Sequence, residues 1–280
     1  MNKTNLIIFI LIALLCALGL SFYLQNKPDS EHIIQDIQPT LTPEPIKKPI
    51  VHYPVPKAIT EQPALPPEQG DLKTEAKDLL LPETLPSVQE SDQSIQDALK
   101  SLLSVKKIYQ LLYTENFIQK FVATIDNLPE KRLARAHLPI KAPGGKFLIA
   151  GTTEAPQTSS RNYKRYNPYL TLMESIDQDL AIKIYTHFYP LFQTAYEQLG
   201  YKNAYFNDRL VYVIDHLLET PNPADPLQLA QPAVLYTYAN PVLENLSSGQ
   251  KILLRIGQDQ RLRTLKILES YRNYLTNFHP

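Results

Sequence analysis

The stretch from Leu6 to Leu24 carries no charged residue, and it limits what the rest of the chain can be. Its length is close to the ~20 apolar residues that a helix needs to cross the hydrocarbon core of a bilayer. A helix satisfies its own backbone hydrogen bonds in that core, which a single isolated strand cannot do. We therefore expect residues 1–26 to form a transmembrane anchor that holds the chain to the membrane through residues 6–24.

The charges that flank this anchor predict its orientation. Lys3 precedes it, whereas Lys27 on the far side is offset by Asp29 and Glu31. The positive-inside rule then favours a cytoplasmic N-terminus. The alternative is a cleaved secretory signal, since Ala17 and Gly19 are small residues at the spacing of a cleavage site, although the apolar run continues beyond them. Both interpretations export the rest of the chain, and we expect a single-pass protein of the bacterial inner membrane with a periplasmic C-terminal domain.

Composition excludes several chemistries from the exported part. Cys16 is the only cysteine and lies within the anchor, so no disulfide, thiol nucleophile or Cys-based metal site is available beyond it. Basic and acidic residues each number 28, so the net charge favours no particular class of partner. No two histidines of the exported domain have metal-ligand spacing. The sequence predicts no metal and no cofactor.

A proline-rich tract follows the anchor, with 12 prolines in residues 28–86. Proline removes backbone donors, and the Glu, Gln, Thr and Lys residues between the prolines leave little apolar surface to bury. We expect residues 27–90 to be a disordered, partly polyproline-II linker that spaces the domain from the membrane. The alternative is that a Pro-x-x-Pro-like piece of this tract is itself a ligand for another protein.

Residues 91–280 are expected to form one mainly α domain, with a minor β part consisting of a short two-stranded element. Apolar residues at helical spacing, with suitable caps, predict the helices. They cover residues 95–103, 115–128, 168–199 with a kink or break at Pro190, 208–218 with Asn207 as N-cap, 249–256 and 259–278. Residues 146–150 and 233–238 are strand candidates that would pair with each other, and residues 152–162 are expected to be a mobile loop.

The densest polar group lies on the predicted helix 208–218. Helical spacing places Asp208 and Asp215 on one side, with Arg209 and His216 beside them. An acid next to a histidine can orient it as a general base. The apolar residues of the same helix favour the alternative of a core helix whose charges pair with neighbouring loops.

A second group interleaves basic and aromatic residues between Arg161 and Tyr169. Its candidate binding residues are Tyr163, Arg165, Tyr166 and Tyr169. In the cytoplasm this pattern would suggest single-stranded nucleic acid, but outside the membrane we expect no nucleic-acid partner. A surface for an anionic glycan, a peptide or a partner protein is then the functional interpretation. The alternative is that the tyrosines pack inward and the cations stay solvated.

Eight blocks of sequence, in order, resemble a proteobacterial family known as a domain of unknown function, number 3014. They are Phe121–Pro129, Arg165–Tyr169, Tyr189–Phe192, Leu199–Tyr201, Phe206–Leu210, Val213–Leu218, Gln231–Pro232 and Ser248–Gly257. The similarity extends over essentially all of residues 91–276. The resemblance implies a bacterial, membrane-anchored protein with one envelope-facing domain, and it supplies no catalytic residue, ligand or fold.

These observations favour a non-enzymatic envelope protein whose periplasmic domain binds a protein or cell-wall partner. The expected surface combines Tyr163–Tyr169 with the polar side of Asp208–His216, and Asn207 is a further candidate residue beside it. The alternative is a periplasmic hydrolase that uses His216 with Asp208 or Asp215.

Overall fold

The computed structural model describes residues 51–55, 81–102, 110–133 and 138–277. The helices in these ranges are α1 (Asp92–Leu102), α2 (Phe117–Asn127), α3 (Ser160–Lys164), α4 (Asn167–Ser175), α5 (Gln178–Gln198), α6 (Phe206–Leu218), α7 (Pro241–Glu244), α8 (Ser248–Arg255) and α9 (Gln258–Thr276), with one 3-10 turn at Val88–Glu90. The strands are β1 (Ile149–Gly151), β2 (Pro156–Thr158), β3 (Leu229–Ala230) and β4 (Thr237–Tyr238). The predicted mainly α class with a minor β part is confirmed.

The predicted anchor, Leu6–Leu24, lies outside the described residues. Within the four ranges that the structure describes, no helix has both the length and the apolar character needed to cross a bilayer.

The centre of the core is a triangle of three fully buried phenylalanine rings, Phe121, Phe192 and Phe206. Their ring centroids lie 5.5–6.2 Å apart, within the range in which aromatic pairs attract. Because the three residues belong to α2, α5 and α6, this cluster fixes the first turn of α6 against two other helices. The C-terminal helix α9 packs along α6 on the same core.

A buried ion pair also holds α6 to α2. Arg209 is 4% exposed, and its Nη2 donates to the backbone oxygen of Asp126 at 2.7 Å. Its Nε lies 2.9 Å from Asp126 Oδ1. This contact is an ion pair, but it lacks the geometry of a hydrogen bond. Tyr201 donates to the other carboxylate oxygen at 3.0 Å. Arg209, predicted as a candidate binding residue, therefore has its charge satisfied inside the domain.

The long helical stretch is not split at Pro190, which was one of the two outcomes predicted there. The chain breaks between α4 and α5, where the Asp177 side chain accepts a backbone N–H of the first turn of α5. That cap satisfies a donor that the helix start would otherwise leave unpaired. Helix α5 then continues through Pro190, since Phe188 and Phe192 on either side of it are fully buried in the core.

The predicted pairing of the strands was also wrong. Strand β1 pairs with β2, with Ile149 opposite Thr158, and β3 pairs with β4, with Leu229 opposite Tyr238. Residues 152–162, expected to be a mobile loop, contain β2 and the start of α3. Both sheets are antiparallel hairpins, so each strand finds its partner within a few residues instead of across the domain.

Both described parts of the predicted linker contact the domain. Leu81 and Leu85 pack against the main core, and Val88 is 3% exposed. Tyr53 and Val55 pack against the same core from a position far earlier in the chain. These contacts differ from the expectation of an unstructured spacer in residues 51–55 and 81–90.

Substitution of Gly249 tests how tightly α8 is packed. A Cβ at this position would lie 2.7 Å from Leu217 Cδ2 and 3.1 Å from the backbone oxygen of Leu128. We expect Gly249→Ala to lower the free energy of unfolding by about 1–3 kcal/mol in urea titrations, because the buried neighbours must move. Gly144→Ala is the matched control, since nothing lies within 4 Å of its Cβ, and it should change stability by less than about 0.5 kcal/mol. Equal effects of the two substitutions would contradict this packing.

Candidate functional site

The start of α6 frees Asn207 for contacts outside its own helix. Asn207 was predicted to cap this helix, but the helix begins one residue earlier, at Phe206. The Phe206 N–H is accepted by Gln193 Oε1 of α5 at 2.9 Å, so a neighbouring helix performs the capping. Asn207 therefore lies within the first turn, where its side chain does not cap the backbone.

The Asn207 side chain joins three separate parts of the chain. It is fully buried, and its Oδ1 accepts the Tyr185 hydroxyl of α5 at 3.0 Å. Its Nδ2 donates to the Leu275 carbonyl of α9 at 3.2 Å and to the Tyr53 carbonyl at 2.9 Å. Both amide hydrogens and the amide oxygen thus have partners, as a buried amide requires.

Asp208 binds the same piece of linker beside Asn207. Its Oδ1 accepts the Tyr53 backbone N–H at 2.7 Å, and its Oδ2 lies 2.9 Å from His52 Nδ1. Together, Asn207 and Asp208 bind both main-chain groups of Tyr53. The His52 ring also lies over Tyr205, with centroids 3.9 Å apart and planes inclined by 31°. We call Tyr205, Asn207 and Asp208 the linker-docking site.

The bound segment alternates as an extended chain does. Tyr53 and Val55 are half-buried against the core, whereas His52 and Pro54 are exposed. Alternate side chains of an extended backbone point in opposite directions, which explains this pattern. Pro54 favours the conformation as well, because the residue before a proline is restricted to extended geometry.

Docking of the segment and burial of the Asp208 carboxylate depend on each other. Asp208 is 5% exposed. Within the described residues, the two groups that donate hydrogen bonds to its carboxylate are the His52 ring and the Tyr53 backbone N–H. A buried carboxylate is costly without such donors, and hydrogen bonds to a charged acceptor are the stronger kind. Its place in the first turn of α6 adds a favourable interaction with the helix dipole.

Asp215 lies about two turns after Asp208 in α6. Its carboxylate forms an ion pair with Arg272 of α9. The hydrogen bond to Asp215 raises the pKa of Arg272, and the nearby Tyr53 adds to the effect. Both acids proposed as partners of His216 therefore bind other groups.

His216 connects α6 to the start of α8. Its Nε2 lies 2.9 Å from Ser247 Oγ, and its backbone oxygen accepts from Gln250 Nε2 at 3.0 Å. Ser247 and Gln250 form the capping box of α8. Burial lowers the pKa of His216, which outweighs the opposing effect of Glu219. In the described ranges no three His, Cys, Asp or Glu residues converge on a position that could hold a metal ion.

The basic-aromatic segment is largely packed into the domain. Tyr166 is 2% exposed and Tyr169 is 4% exposed, with the Tyr169 hydroxyl donating to the Lys141 carbonyl at 2.9 Å. Arg165 donates to a series of backbone oxygens in one loop, those of Pro143, Gly144, Gly145 and Lys146. Its guanidinium therefore closes the loop that precedes β1. The interpretation in which the tyrosines pack inward is correct for Tyr166 and Tyr169.

Tyr163 lies instead on a cleft of about 340 Å³ at the start of α9. The cleft is lined by Tyr163, Asp225, Ile256, Gly257, Gln258, Asp259 and Gln260. Burial, and to a smaller extent Asp225, raises the pKa of Tyr163 to about 12, so the phenol stays protonated. Its hydroxyl lies 2.8 Å from Thr158 Oγ1, which connects α3 to the β hairpins.

The two predicted halves of the binding surface lie at opposite ends of α9. Gln260 donates to the Tyr163 carbonyl at 2.8 Å, and Leu275 accepts from Asn207. A helix rises about 1.5 Å per residue, so these contacts are separated by about 22 Å along α9. The two halves therefore do not converge on one site, and Asn207 and Asp208 form a site without Tyr163.

Sequence reasoning missed His52, Tyr53 and Tyr205 as residues of the site. One signal was present in the tract, where Ile50–Val55 is apolar and aromatic among neighbours that are mostly polar or proline. The open alternative, that a piece of the proline-rich tract acts as a ligand, fits these contacts, although the ligand here is bound to its own chain.

A family model described as "Protein of unknown function (DUF3014)" matches residues 117–272 of the chain, which is more than half of it. No curated protein and no solved structure matches the chain. The matched range includes α2 to α8 and most of α9, and therefore the whole linker-docking site on α6.

Removal of His216 tests the effect of its lowered pKa. Burial holds this pKa below the ordinary value of 6.5, so the unfolded state binds the proton more readily. We expect the free energy of unfolding to fall as the pH drops below about 6.5, and to fall less steeply in His216→Gln. Urea titrations at pH 7.5 and 5.5 measure both changes. The stability of His216→Gln should still depend on pH to some extent, because burial also lowers the pKa of His187. An identical fall in both proteins would contradict this assignment.

Proposed function

The chain belongs to the DUF3014 family, and from this premise we propose that it is a single-pass, membrane-anchored protein of the proteobacterial envelope whose periplasmic domain binds a protein partner. The apolar Leu6–Leu24 segment and its flanking charges support the anchor and its orientation. The partner binds at the linker-docking site as an extended peptide segment.

The hydrogen bonds of Asn207 and Asp208 to the main chain of Tyr53 are the observation that carries this proposal. An amide donor and a carboxylate acceptor, side by side on one helical turn, hold the C=O and the N–H of Tyr53. Every residue except proline presents these two main-chain groups, and peptide-binding domains commonly recognise extended ligands through them. The acceptor is a carboxylate of a residue that is only 5% exposed, and hydrogen bonds to a charged acceptor are the stronger kind.

Exposed aromatic side chains extend the site along α6. Tyr205 is 51% exposed and Tyr212 is 39% exposed, and helical spacing places both on the same side as Asp208. The Arg209 guanidinium lies over the Tyr212 ring, 5.1 Å from its centroid. Tyrosine is enriched in protein–protein interfaces, so these two exposed rings favour a protein over a cell-wall polymer as the partner.

Binding fits the described contacts better than hydrolysis does. Asp208 binds His52, Asp215 binds Arg272, and His216 binds Ser247 in the cap of α8. A general base needs an orienting acid within hydrogen-bond reach. In the described residues neither candidate acid contacts the His216 ring.

Site-specific photo-crosslinking tests the proposal in native membranes. We expect a photo-reactive phenylalanine analogue at Tyr212 to form an adduct with a protein partner, because this position adjoins the linker-docking site. A synthetic peptide of residues 49–57, added in excess, should remove the adduct. Val242 is the matched control position, since it is 69% exposed but lies in α7, beside the second apolar cluster.

Three outcomes would contradict this function. Equal adducts from positions 212 and 242 would show non-specific contact. An adduct from position 212 that the peptide leaves unchanged would place the partner elsewhere. An adduct that is digested by a muramidase would identify a cell-wall polymer as the ligand.

A further inference from the structure

Both elements of a binding reaction, a site and an occupant, are present in one chain. The occupant is a short extended segment, His52–Val55, and the site lies at the start of a helix, with Asp208 155 residues after Tyr53. The contacts are those of a peptide on a receptor, in which main-chain hydrogen bonds are combined with alternate buried side chains. The 25 residues 56–80 connect the occupant to the next described part of the chain.

The contacts of the occupant are limited in extent. Tyr53 and Val55 are only half-buried, the His52 side chain is 46% exposed, and Pro54 is exposed. By contrast, Asn207 and the core residues of α6 are fully buried. Asn207 therefore belongs to the core, whereas the occupant can leave without removing a core side chain.

We propose that His52–Val55 is an intramolecular copy of the partner's binding segment and blocks the linker-docking site until the partner displaces it. This inference rests on the proposed function, and it adds the class of ligand and the regulation of the site.

The contacts specify the ligand class as four consecutive positions of an extended peptide. The first is a hydrogen-bond donor that reaches Asp208 and stacks on Tyr205, as His52 does. The second is an aromatic residue with both main-chain groups bound, the third is proline, and the fourth is aliphatic. The proline lowers the entropy lost on binding, because it restricts the preceding residue to the bound geometry before contact.

Attachment to the same chain makes the occupant a strong competitor. A tethered ligand acts at an effective concentration on the order of 1 mM. If its intrinsic Kd is about 10 µM, the apparent Kd for an external peptide rises about 100-fold. A partner must therefore make contacts beyond these four positions, and the exposed Tyr212 lies where such contacts can form.

Peptide binding to the full chain tests this inference. The probe is a fluorescein-labelled peptide of residues 49–57, and the readout is fluorescence anisotropy of the detergent-solubilised protein. An open variant carries His52→Ala, Tyr53→Ala and Val55→Ala, which change only the occupant. We expect the open variant to bind the probe about 100-fold more tightly than the wild type. Val51→Ala is the control, because residue 51 is exposed, and it should bind like the wild type.

A second probe tests the mode of recognition without any change to the protein. Methylation of the tyrosine backbone nitrogen in the peptide removes the hydrogen that Asp208 accepts. We expect the open variant to bind this peptide at least about 10-fold more weakly than the unmodified one. Equal affinity of the two peptides, or equal affinity of wild type and open variant for the unmodified peptide, would overturn the inference.

The crosslinking and the peptide-binding experiments can fail independently, so they distinguish an error in the partner function from an error in the proposed block. If the open variant binds the probe as expected but Tyr212 captures no protein in membranes, self-occupancy holds and the partner function is wrong. If Tyr212 captures a protein while wild type and open variant bind the probe equally, the partner function holds and the block by the segment is wrong.

Discussion

The buried amide of Asn207 is the contact on which the arrangement of the candidate site depends. It links α5, α9 and the docked linker segment through three hydrogen bonds. Its position is fixed by the adjoining Phe206 ring in the aromatic core and by the Arg209 pair with α2. Because packing sets the direction of the amide before any ligand arrives, the site is preorganised, which reduces the entropy lost on binding.

A rigid receptor and an exchangeable occupant therefore share one chain. Burial of Asp208 depends on donors from the linker, so a partner that displaces His52 and Tyr53 must supply equivalent donors. This requirement gives specificity, since a segment without a suitable N–H leaves a buried carboxylate unpaired. The proline-rich tract thus contains a recognition segment as well as a spacer.

Local patterns predicted much of the fold, and long-range contacts account for most of the errors. Helical periodicity placed α2, α6, α8 and α9 within a few residues of their observed bounds. Asn207 was correctly chosen as a site residue but given the wrong role, because asparagine suits both a helix cap and a buried bridge. The choice between these roles depended on Gln193 of α5. The docking of Tyr53 could not be predicted locally, since its partners lie about 155 residues away.

Hydrogen exchange at the Tyr53 amide reports directly whether the linker segment occupies the linker-docking site. In the full chain with 15N-labelled tyrosine, we expect this amide to exchange at least about 10-fold more slowly than in a free peptide of residues 49–57, because Asp208 Oδ1 accepts its hydrogen. The protection should be lost in Asp208→Ala. Exchange of the wild-type amide at the free-peptide rate would show that the segment does not occupy the site.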